Sequence, residues 1–324
     1  MPKEDKEPPP PAVVATMAIL RSAGLRDEAV KGMSPRQQDV PPARVRQIAG
    51  ELLTDMVRKG DQGDLVEDFA LPWAARVTCE LLGLPDDAAA EITRWFPLFS
   101  IGPEADANLP DLWPRSLFRF GDWMGRLKPT GLLPRLIRLN GRSARPLSEQ
   151  MMVEIGHMLA FSGLGNPAAF LATCGLVLAR DRHLTERLQA TPGLMPRLVE
   201  EIYRWAPLLG DSITRIATED LDLGGTRIAA GELVLISTDA ANHDPAVFPE
   251  PERIDPDRPA CPHVRFGQGR HYCPAAALNK LQTEAALSAL LDVMPGLRLA
   301  TGASAVTWRQ YHAVLMPVAV PVRW

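Results

Sequence analysis

The sequence has few cysteines, and the four that it has are far apart. Cys79, Cys174, Cys261 and Cys273 form no C-x-x-C pair and no cluster with histidines, so neither a disulfide framework nor a structural zinc site is predicted. The chain also lacks an apolar run long enough to span a membrane, and its start, MPKEDKEPPPP, lacks the layout of a signal peptide. We therefore expect a soluble protein of the reducing cytoplasm.

An excess of charge of one sign is absent as well. The 324 residues carry a formal net charge of −4 and show no basic stripe, which argues against nucleic acid or a membrane surface as the partner. With 46% hydrophobic residues, the chain can bury a large core. Residues 1–12 are charged and rich in proline, so we expect a disordered lead there, followed by a single domain over residues 13–324.

Helical periodicity, in contrast, is abundant. In residues 41–60 the apolar side chains recur at spacings of three and four, as on one face of a helix that Gly60 ends. The same pattern occurs in residues 65–83, 85–98, 114–127, 148–181 and 195–205. Residues 212–237 alternate and break at glycines, which is typical of short antiparallel strands, and a last helix is expected over residues 274–293. The sequence therefore predicts a mainly α protein with small antiparallel β-sheets.

One stretch, FGQGRHYC at residues 266–273, places a single cysteine at the end of a loop broken by glycines. An isolated cysteine is ordinarily a small buried hydrophobe. Here Gly267 and Gly269 allow backbone conformations that other residues resist, and the helix expected after Cys273 would point its first N–H groups at the sulfur. Such an environment favours a thiolate, which is a ligand for a metal or for heme iron.

The sequence FGQGRHYCPA resembles the heme-binding signature of the cytochrome P-450 family, F-G-x-G-x-[HR]-x-C-x-[GA]. The match covers Phe266, Gly267, Gly269, His271, Cys273 and Ala275. Upstream, EEIYRW resembles the family's E-x-x-R pair, whose two members lie one helical turn apart. Residues 211–258 are similar along their whole length to the strand and meander region of bacterial members. The resemblance implies the cytochrome P-450 fold, here without most of its N-terminal sheet and capping loop.

The resemblance also implies roles around the cofactor, heme b. Cys273 would be the axial thiolate ligand of the iron, and Phe266 would pack beside its sulfur, next to Gly267. Cations would pair with the two heme propionates; the matching positions are Arg26, Arg215 and His271. Behind the heme, the family has a structural ion network; the matching positions are Glu201, Arg204 and Arg253.

The long predicted helix departs from the family pattern in LAFSGLGNPAAF. Ser162 and Gly163 match the family's pair of small residues, but Gly165 stands where the family has an acid. Asn166 stands where the family has a threonine, and Pro167 follows. The usual acid and alcohol deliver protons during oxygen activation, and neither glycine nor an asparagine amide can do so unaltered. The proline also removes a helix hydrogen bond and leaves a carbonyl free.

Three explanations of this departure stay open. Substrate groups or ordered water deliver the protons, or the enzyme couples or desaturates its substrate without inserting oxygen, or catalysis has been lost. The candidate catalytic residues are Gly163, Gly165 and Asn166. The candidate substrate-pocket residues, chosen by their positions in the family pattern, are Phe161, Leu164, Leu208, Leu209 and His312. His157 lies on an apolar helix face, and we interpret it as a histidine of the core.

The N-terminal part departs from the family as well. SAGLRDEAVKGMSPRQ is similar to the helix that carries the family's His-x-x-x-Arg, with Ser22 at the histidine position and Arg26 at the arginine position. Only 21 residues precede it, so most of the first sheet and the loop that caps the substrate are missing. The pocket then either admits a bulky, peptide or carrier-bound substrate, or is completed by a partner, or belongs to a truncated chain.

Two classes of function are compatible with these residues. The first is a heme-thiolate monooxygenase or coupling enzyme of bacterial secondary metabolism. It would take electrons from a ferredoxin on the cysteine side, where Arg265 and Arg270 offer positive charge. The second is a catalytically silent helper that activates a partner enzyme such as a glycosyltransferase; such helpers typically lack the cysteine that this chain keeps. Peroxide-driven relatives place an arginine beside the helix proline, whereas this chain has Asn166. We therefore favour the first class.

Overall fold

The computed structural model describes residues 12–37, 39–95, 109–207, 213–259, 262–311 and 314–324. Helices predominate among them. They are α1 (Ala12–Ser22), α2 (Arg26–Gly32), α3 (Pro42–Lys59), α4 (Leu71–Leu82), α5 (Ala88–Arg94), α6 (Leu109–Met124), α7 (Leu132–Asn140), α8 (Glu149–Arg180), α9 (Arg182–Ala190), α10 (Met195–Trp205), α11 (Thr238–Asn242) and α12 (Ala276–Val293). The lead expected at residues 1–12 lies, apart from Ala12, outside the described residues.

The described strands are short and pair in antiparallel fashion. They are β1 (Gln62–Asp64), β2 (Ile213–Ile216), β3 (Leu221–Leu223), β4 (Thr226–Ile228), β5 (Leu233–Ile236), β6 (Arg298–Leu299), β7 (Trp308–Tyr311), β8 (Val314–Pro317) and β9 (Pro321–Arg323). One sheet has the order β1-β9-β6, and the others are the pairs β2-β5, β3-β4 and β7-β8. The predicted class, mainly α with small antiparallel sheets, is confirmed.

The long helix α8 is the centre of the fold. It begins after Ser148, whose hydroxyl accepts a hydrogen bond from the backbone N–H of Met151, a regular N-cap. It ends before Asp181, whose carboxylate caps α9 by accepting the N–H of Leu184. The helix packs against α4, α6 and α12. It is apolar enough to cross a membrane, but 83% of its apolar window is buried inside the protein, which makes it the core helix.

Two glycines of α8 let neighbouring helices approach closely. A Cβ atom at Gly156 would lie 2.7 Å from the Phe120 ring on α6, and one at Gly163 would lie 2.6 Å from Oγ1 of Thr78 on α4. Real Cβ atoms do not come so close to other atoms, so both contacts need the absence of a side chain. The small residues of α8 therefore set its distance from α4 and α6.

The segment before α4 differs from the continuous helix that the periodicity predicts for residues 65–83. Leu65–Ala70 form a π-helical turn that leads into α4. The Asp64 carboxylate accepts the N–H of Val66 (2.8 Å) and, across the sheet, the N–H of Val320 (3.0 Å). One carboxylate thus ties the turn to the C-terminal strands, an interaction that local periodicity cannot report.

Candidate active site

Cys273 lies at the end of a loop that two glycines shape. Gly267 has φ +73° and Gly269 has φ +70°, the left-handed region that strains other residues. The backbone N–H of Cys273 donates to the carbonyl of Phe266 at 2.9 Å and closes the loop. The sulfur is partly exposed and lies three residues before α12 begins at Ala276.

The surroundings of the sulfur act on its pKa in opposite directions. Burial raises the pKa of the Cys273 thiol, and hydrogen bonds from the backbone N–H groups of Ala275 and Ala276 lower it by less, so the pKa ends above its ordinary value. In the free protein the cost of burying the charge thus exceeds the gain from the two amides. A metal ion that binds the sulfur removes this proton itself.

Arg265 fastens the start of this loop to the end of α10. Its Nε donates to the carbonyl of Tyr203 at 2.9 Å, and its Nη1 pairs with the Asp239 carboxylate on α11. A cation is favourable at the carbonyl end of a helix. Only 2% of the Arg265 side chain is exposed, so its charge cannot meet a redox partner, contrary to the sequence-based expectation. The side chain of Arg270 lies outside the described residues.

Glu201 and Arg204 form a buried ion pair, but the third cation of their network is Arg258. Two hydrogen bonds of 2.9 Å join the Arg204 guanidinium to the Glu201 carboxylate, and Arg258 Nε donates to the same carboxylate at 2.9 Å. The Arg253 side chain is 62% exposed, whereas that of Arg258 is 11% exposed. Arg253 contributes only its carbonyl, which accepts from Arg204 and Arg258. The assignment of the Arg253 guanidinium to the network is corrected accordingly.

Aromatic rings connect the cysteine loop to α8. The Phe266 ring lies 4.6 Å from the ring of Tyr203, which stacks on Phe170 at 3.4 Å. Phe170 follows Asn166 by one helical turn, so the two residues share a face of α8. Asn166 is the one exposed residue between positions 151 and 179, a range that the structure describes throughout. These ring contacts link the cysteine loop, through Tyr203 on α10, to the face of α8 that carries Asn166.

These residues fit a heme. A partly exposed cysteine that receives two amide hydrogen bonds suits thiolate ligation of iron. Arg215 and His271 are exposed, and the Arg26 side chain is partly exposed and pairs with Asp27 at 3.7 Å. These side chains are of the kinds that bind a heme: a cysteine for the iron, and basic residues for the propionates.

The other predicted site residues lie in different surroundings. Gly163 and Gly165 lie on α8 within one turn of Asn166. Leu164 is fully buried and Phe161 nearly so, and both belong to the hydrophobic core. The motif predicted their helix but not the face on which Leu164 lies, which is turned to the core. Leu208, Leu209 and His312 lie outside the described residues.

An aromatic cluster surrounds His157, one turn before Phe161. The His157 ring lies 4.7 Å from Phe161 and 5.6 Å from Trp95, which stacks on Trp123 at 5.1 Å. Nε2 of His157 is hydrogen-bonded to the Ser116 hydroxyl on α6 at 2.9 Å. Burial lowers the pKa of His157 to about 4, so the histidine is neutral at physiological pH. It is a core residue, as the sequence predicts.

The sequence motifs did not predict the contacts of three residues in this site, Arg258, Arg265 and Thr78. Arg258 and Arg265 lie in segments rich in proline and glycine, where no periodicity shows which way a side chain points. Thr78 lies on α4, and its hydroxyl donates to the carbonyl of Gly163 at 2.8 Å. Pro167 predicts that the carbonyl of Gly163 lacks its helix hydrogen bond. The sequence does not show which group donates to that carbonyl instead.

Known proteins resemble this chain over most of its length. The cytochrome P-450 family model matches residues 176–293. Mycinamicin IV hydroxylase/epoxidase of Micromonospora griseorubida is 35% identical over 305 residues, which are 93% of this chain and 77% of that protein. Mycocyclosin synthase of Mycobacterium tuberculosis is 32% identical over 323 residues, 97% of this chain and 80% of that protein.

A solved structure agrees with these relatives. Cytochrome P-450mel with biaryl coupling reactivity has a TM-score of 0.79 and 26% identity, over 97% of this chain and 78% of that chain. The relatives include enzymes of secondary-metabolite tailoring. Family members are oxidative enzymes with a cysteine-ligated heme, a redox partner and small-molecule substrates. With the geometry of the Cys273 loop and relatives more than 30% identical, this chain belongs to the cytochrome P-450 family.

Proposed function

We propose that this protein is a heme-thiolate oxidoreductase that tailors a secondary metabolite, with Cys273 as the iron ligand. The observation that carries the proposal is the loop in which Gly267 and Gly269 take left-handed conformations before Cys273, a partly exposed residue whose sulfur accepts hydrogen bonds from two backbone amides. When bound, the heme activates dioxygen for the oxidation of an organic substrate. The residues of the chain hold the cofactor and control which groups reach it.

The cysteine side is built to hold a cofactor in one position. The carbonyl of Phe266 holds the backbone N–H of Cys273, the Phe266 ring packs against Tyr203, and the amides of Ala275 and Ala276 hydrogen-bond the sulfur. The propionate partners that we propose are Arg26, Arg215 and His271. Carboxylates that enter a partly buried site need such pairing.

The opposite side is built to orient groups rather than to ionise. The Asn166 amide donates and accepts hydrogen bonds but does not titrate, and Gly165 adds no group beside it. We propose that ordered water or polar groups of the substrate deliver the protons of the reaction. Hydroxylation and oxidative coupling are both within this scheme, and both chemistries occur among the similar proteins.

The substrate and the electron donor follow from the same geometry. A space bordered by an exposed helix turn suits a bulky, peptide or carrier-bound substrate better than a small volatile one. We propose a ferredoxin-type donor on the cysteine side; the buried Arg265 is not the cation that meets it. A reducing cytoplasmic location agrees with a free cysteine as the ligand.

A second candidate rests on one observation. Because Gly165 and Asn166 replace the residues that normally deliver protons, the chain could serve as a catalytically silent helper of a partner enzyme such as a glycosyltransferase. A heme-free helper has no need of an accessible sulfur, whereas a heme enzyme requires it. The first experiment separates the two.

That experiment is the spectrum of the purified protein, reconstituted with heme, reduced and exposed to carbon monoxide. We expect the red-shifted Soret band of thiolate-ligated heme. A colourless protein that takes up no heme would move the assignment to the helper.

Asn166 gives a direct test of the orienting role. Because an amide does not ionise, we expect kcat to show no ionisation that depends on residue 166, and Asn166→Asp should introduce one near the pKa of a carboxylic acid. Asn166→Ala should lower turnover by about tenfold, the value of one positioned hydrogen bond. The thiolate band should persist in both variants. An unchanged rate in Asn166→Ala would remove this residue from the mechanism.

A further inference from the structure

We infer that Thr78 is a positioning residue for the Asn166 turn: its hydroxyl takes the place of the helix hydrogen bond that Pro167 cannot make. The catalytic part of this inference depends on the role proposed for Asn166. The structural part depends only on the contacts between α4 and α8.

The hydrogen-bond pattern of α8 shows where a donor is missing. In an α-helix the carbonyl of each residue accepts from the N–H four residues later. For Gly163 that residue is Pro167, which has no N–H. The Thr78 hydroxyl on α4 donates to this carbonyl at 2.8 Å, and Thr78 is buried. The acceptor that the proline leaves open is therefore satisfied from the neighbouring helix.

The glycine at position 163 is part of the same arrangement. A Cβ atom there would lie 2.6 Å from Oγ1 and 2.7 Å from Cγ2 of Thr78, so any other residue would push α4 away and break the hydrogen bond. Gly163, Pro167 and Thr78 thus form one unit, which we call the carbonyl clamp. The proline opens the carbonyl, the glycine makes room and the threonine closes the contact.

Other hydroxyl groups on α8 act differently. Ser162 bonds the carbonyl of Met158 at 2.9 Å, and Thr173 bonds that of Ala169 at 2.8 Å. Both bonds lie within the helix, four residues back, at carbonyls whose regular N–H donor is present. Their loss leaves no acceptor without a partner. Thr173 is therefore a matched control for Thr78, because it is also a buried threonine that bonds a carbonyl of α8.

The clamp acts on the site through the turn that it closes. Residues 163–166 make up that turn, and Asn166 is its exposed member. With the Gly163 carbonyl held by α4, the turn cannot widen to admit water at the proline. The exposed Asn166 amide is then held at a fixed angle to α8, which is what its proposed role requires.

A double-mutant cycle tests the clamp on the heme-free and the heme-loaded protein. Thr78→Val keeps the shape but removes the hydroxyl, so the equilibrium constant for unfolding in urea should rise about tenfold, as for an unpaired buried acceptor. Pro167→Ala restores the missing N–H, so Thr78→Val should cost about twofold or less in that background. Thr173→Val should also cost about twofold or less. Equal costs of Thr78→Val in both backgrounds would overturn the inference.

A second variant keeps the test valid if Thr78→Val does not fold. Thr78→Ser retains the hydroxyl and should match the wild-type unfolding constant within about threefold, since it loses only a methyl group. If Thr78→Ser loses as much stability as Thr78→Val, packing rather than the hydrogen bond is responsible, and the clamp is refuted.

The positioning role has its own readout, with carbon monoxide as the probe. The C–O stretching band of the reduced, heme-loaded protein responds to nearby polar groups. If Asn166 faces the probe, Asn166→Ala shifts this band, and Thr78→Val shifts it in the same direction while Thr173→Val and Thr78→Ser do not. A band that ignores Asn166→Ala contradicts the proposed function. A band that responds to Asn166→Ala but not to Thr78→Val contradicts the positioning role alone.

Discussion

The cysteine loop and the middle of α8 are held in place in different ways. The loop is fixed by charged side chains from separate segments, with Arg265 on the α10 carbonyls and Arg258 on Glu201. The α8 turn is fixed by close packing and one neutral hydroxyl, that of Thr78. Buried charge networks resist change because the loss of one member leaves the others unpaired. The difference indicates that the cysteine loop tolerates little variation, whereas the α8 turn can be altered residue by residue.

Among substitutions that test this difference, we expect the largest effect at Cys273. Cys273→Ala should abolish the thiolate signature of the reduced carbon monoxide complex completely, because no other sulfur lies in this loop. Far-UV circular dichroism should show the helices retained.

The matched control for that variant is Cys174→Ala. Cys174 is fully buried on α8, and burial raises the pKa of its thiol well above the ordinary value, so it is no ligand. Its replacement should leave the signature intact. An unchanged spectrum in Cys273→Ala, or a lost one in Cys174→Ala, would contradict the assignment of the ligand.

The next effect compares two arginines of the same meander. Arg258→Met removes a cation that bonds the buried Glu201 carboxylate at 2.9 Å, and we expect the free energy of unfolding to fall by about 3 kcal/mol. Arg253→Met removes an exposed guanidinium and should change it by less than about 0.5 kcal/mol. Urea denaturation of the heme-free variants measures both.

The order of these two values is the test. A larger loss for Arg253→Met would show that the sequence-based assignment of the network was correct and that Arg258 is a surface residue. The heme content of each variant after purification gives a second measure, since the network lies behind the cysteine loop.

A third effect, on the α8 side, depends on pH. Burial lowers the pKa of His157 from 6.5 to about 4. Between pH 6.5 and about pH 4, His157 is therefore protonated in the unfolded chain and neutral in the folded protein. Stability is therefore full above pH 6.5 and falls as the pH drops to about 4. The full loss from this group is about 3 kcal/mol. The difference between wild type and His157→Phe, measured by urea denaturation across that range, isolates it.

His157→Phe cannot take up a proton, so its unfolding free energy should lack this contribution and cross that of the wild type as the pH falls. Two parallel curves would mean that His157 titrates in the folded protein as it does in water. The aromatic cluster would then be open to solvent.

How far the sequence predicts this protein depends on the kind of constraint. Elements with a strong period appear where expected: the helix predicted at residues 195–205 is α10, and that at 148–181 is α8, one residue shorter at each end. The cysteine loop is recognisable because its glycines must occupy left-handed conformations, which few residues can replace. These features are local, so the order of residues suffices to report them.

Contacts between distant segments escaped prediction. Arg258 and Arg253 lie in the same proline-rich stretch with equal chemistry, and only the path of the meander decides which one meets Glu201. Arg265 was interpreted as a surface cation, yet two helix ends surround it. The burial of the Cys273 thiol also escaped prediction, because the sequence shows the helix end but not how deeply the sulfur is buried. In each case the deciding quantity is a distance or a desolvation cost set by tertiary packing.

The stacked pair of Trp95 and Trp123 can serve as a spectroscopic reporter of helix packing. The two indoles lie 5.1 Å apart with a 26° angle between their planes, close enough for their electronic transitions to couple. Trp95 immediately follows α5, and Trp123 lies near the end of α6. A near-ultraviolet circular dichroism couplet from this pair would therefore report when these two helices separate, in a wavelength range apart from the Soret absorption.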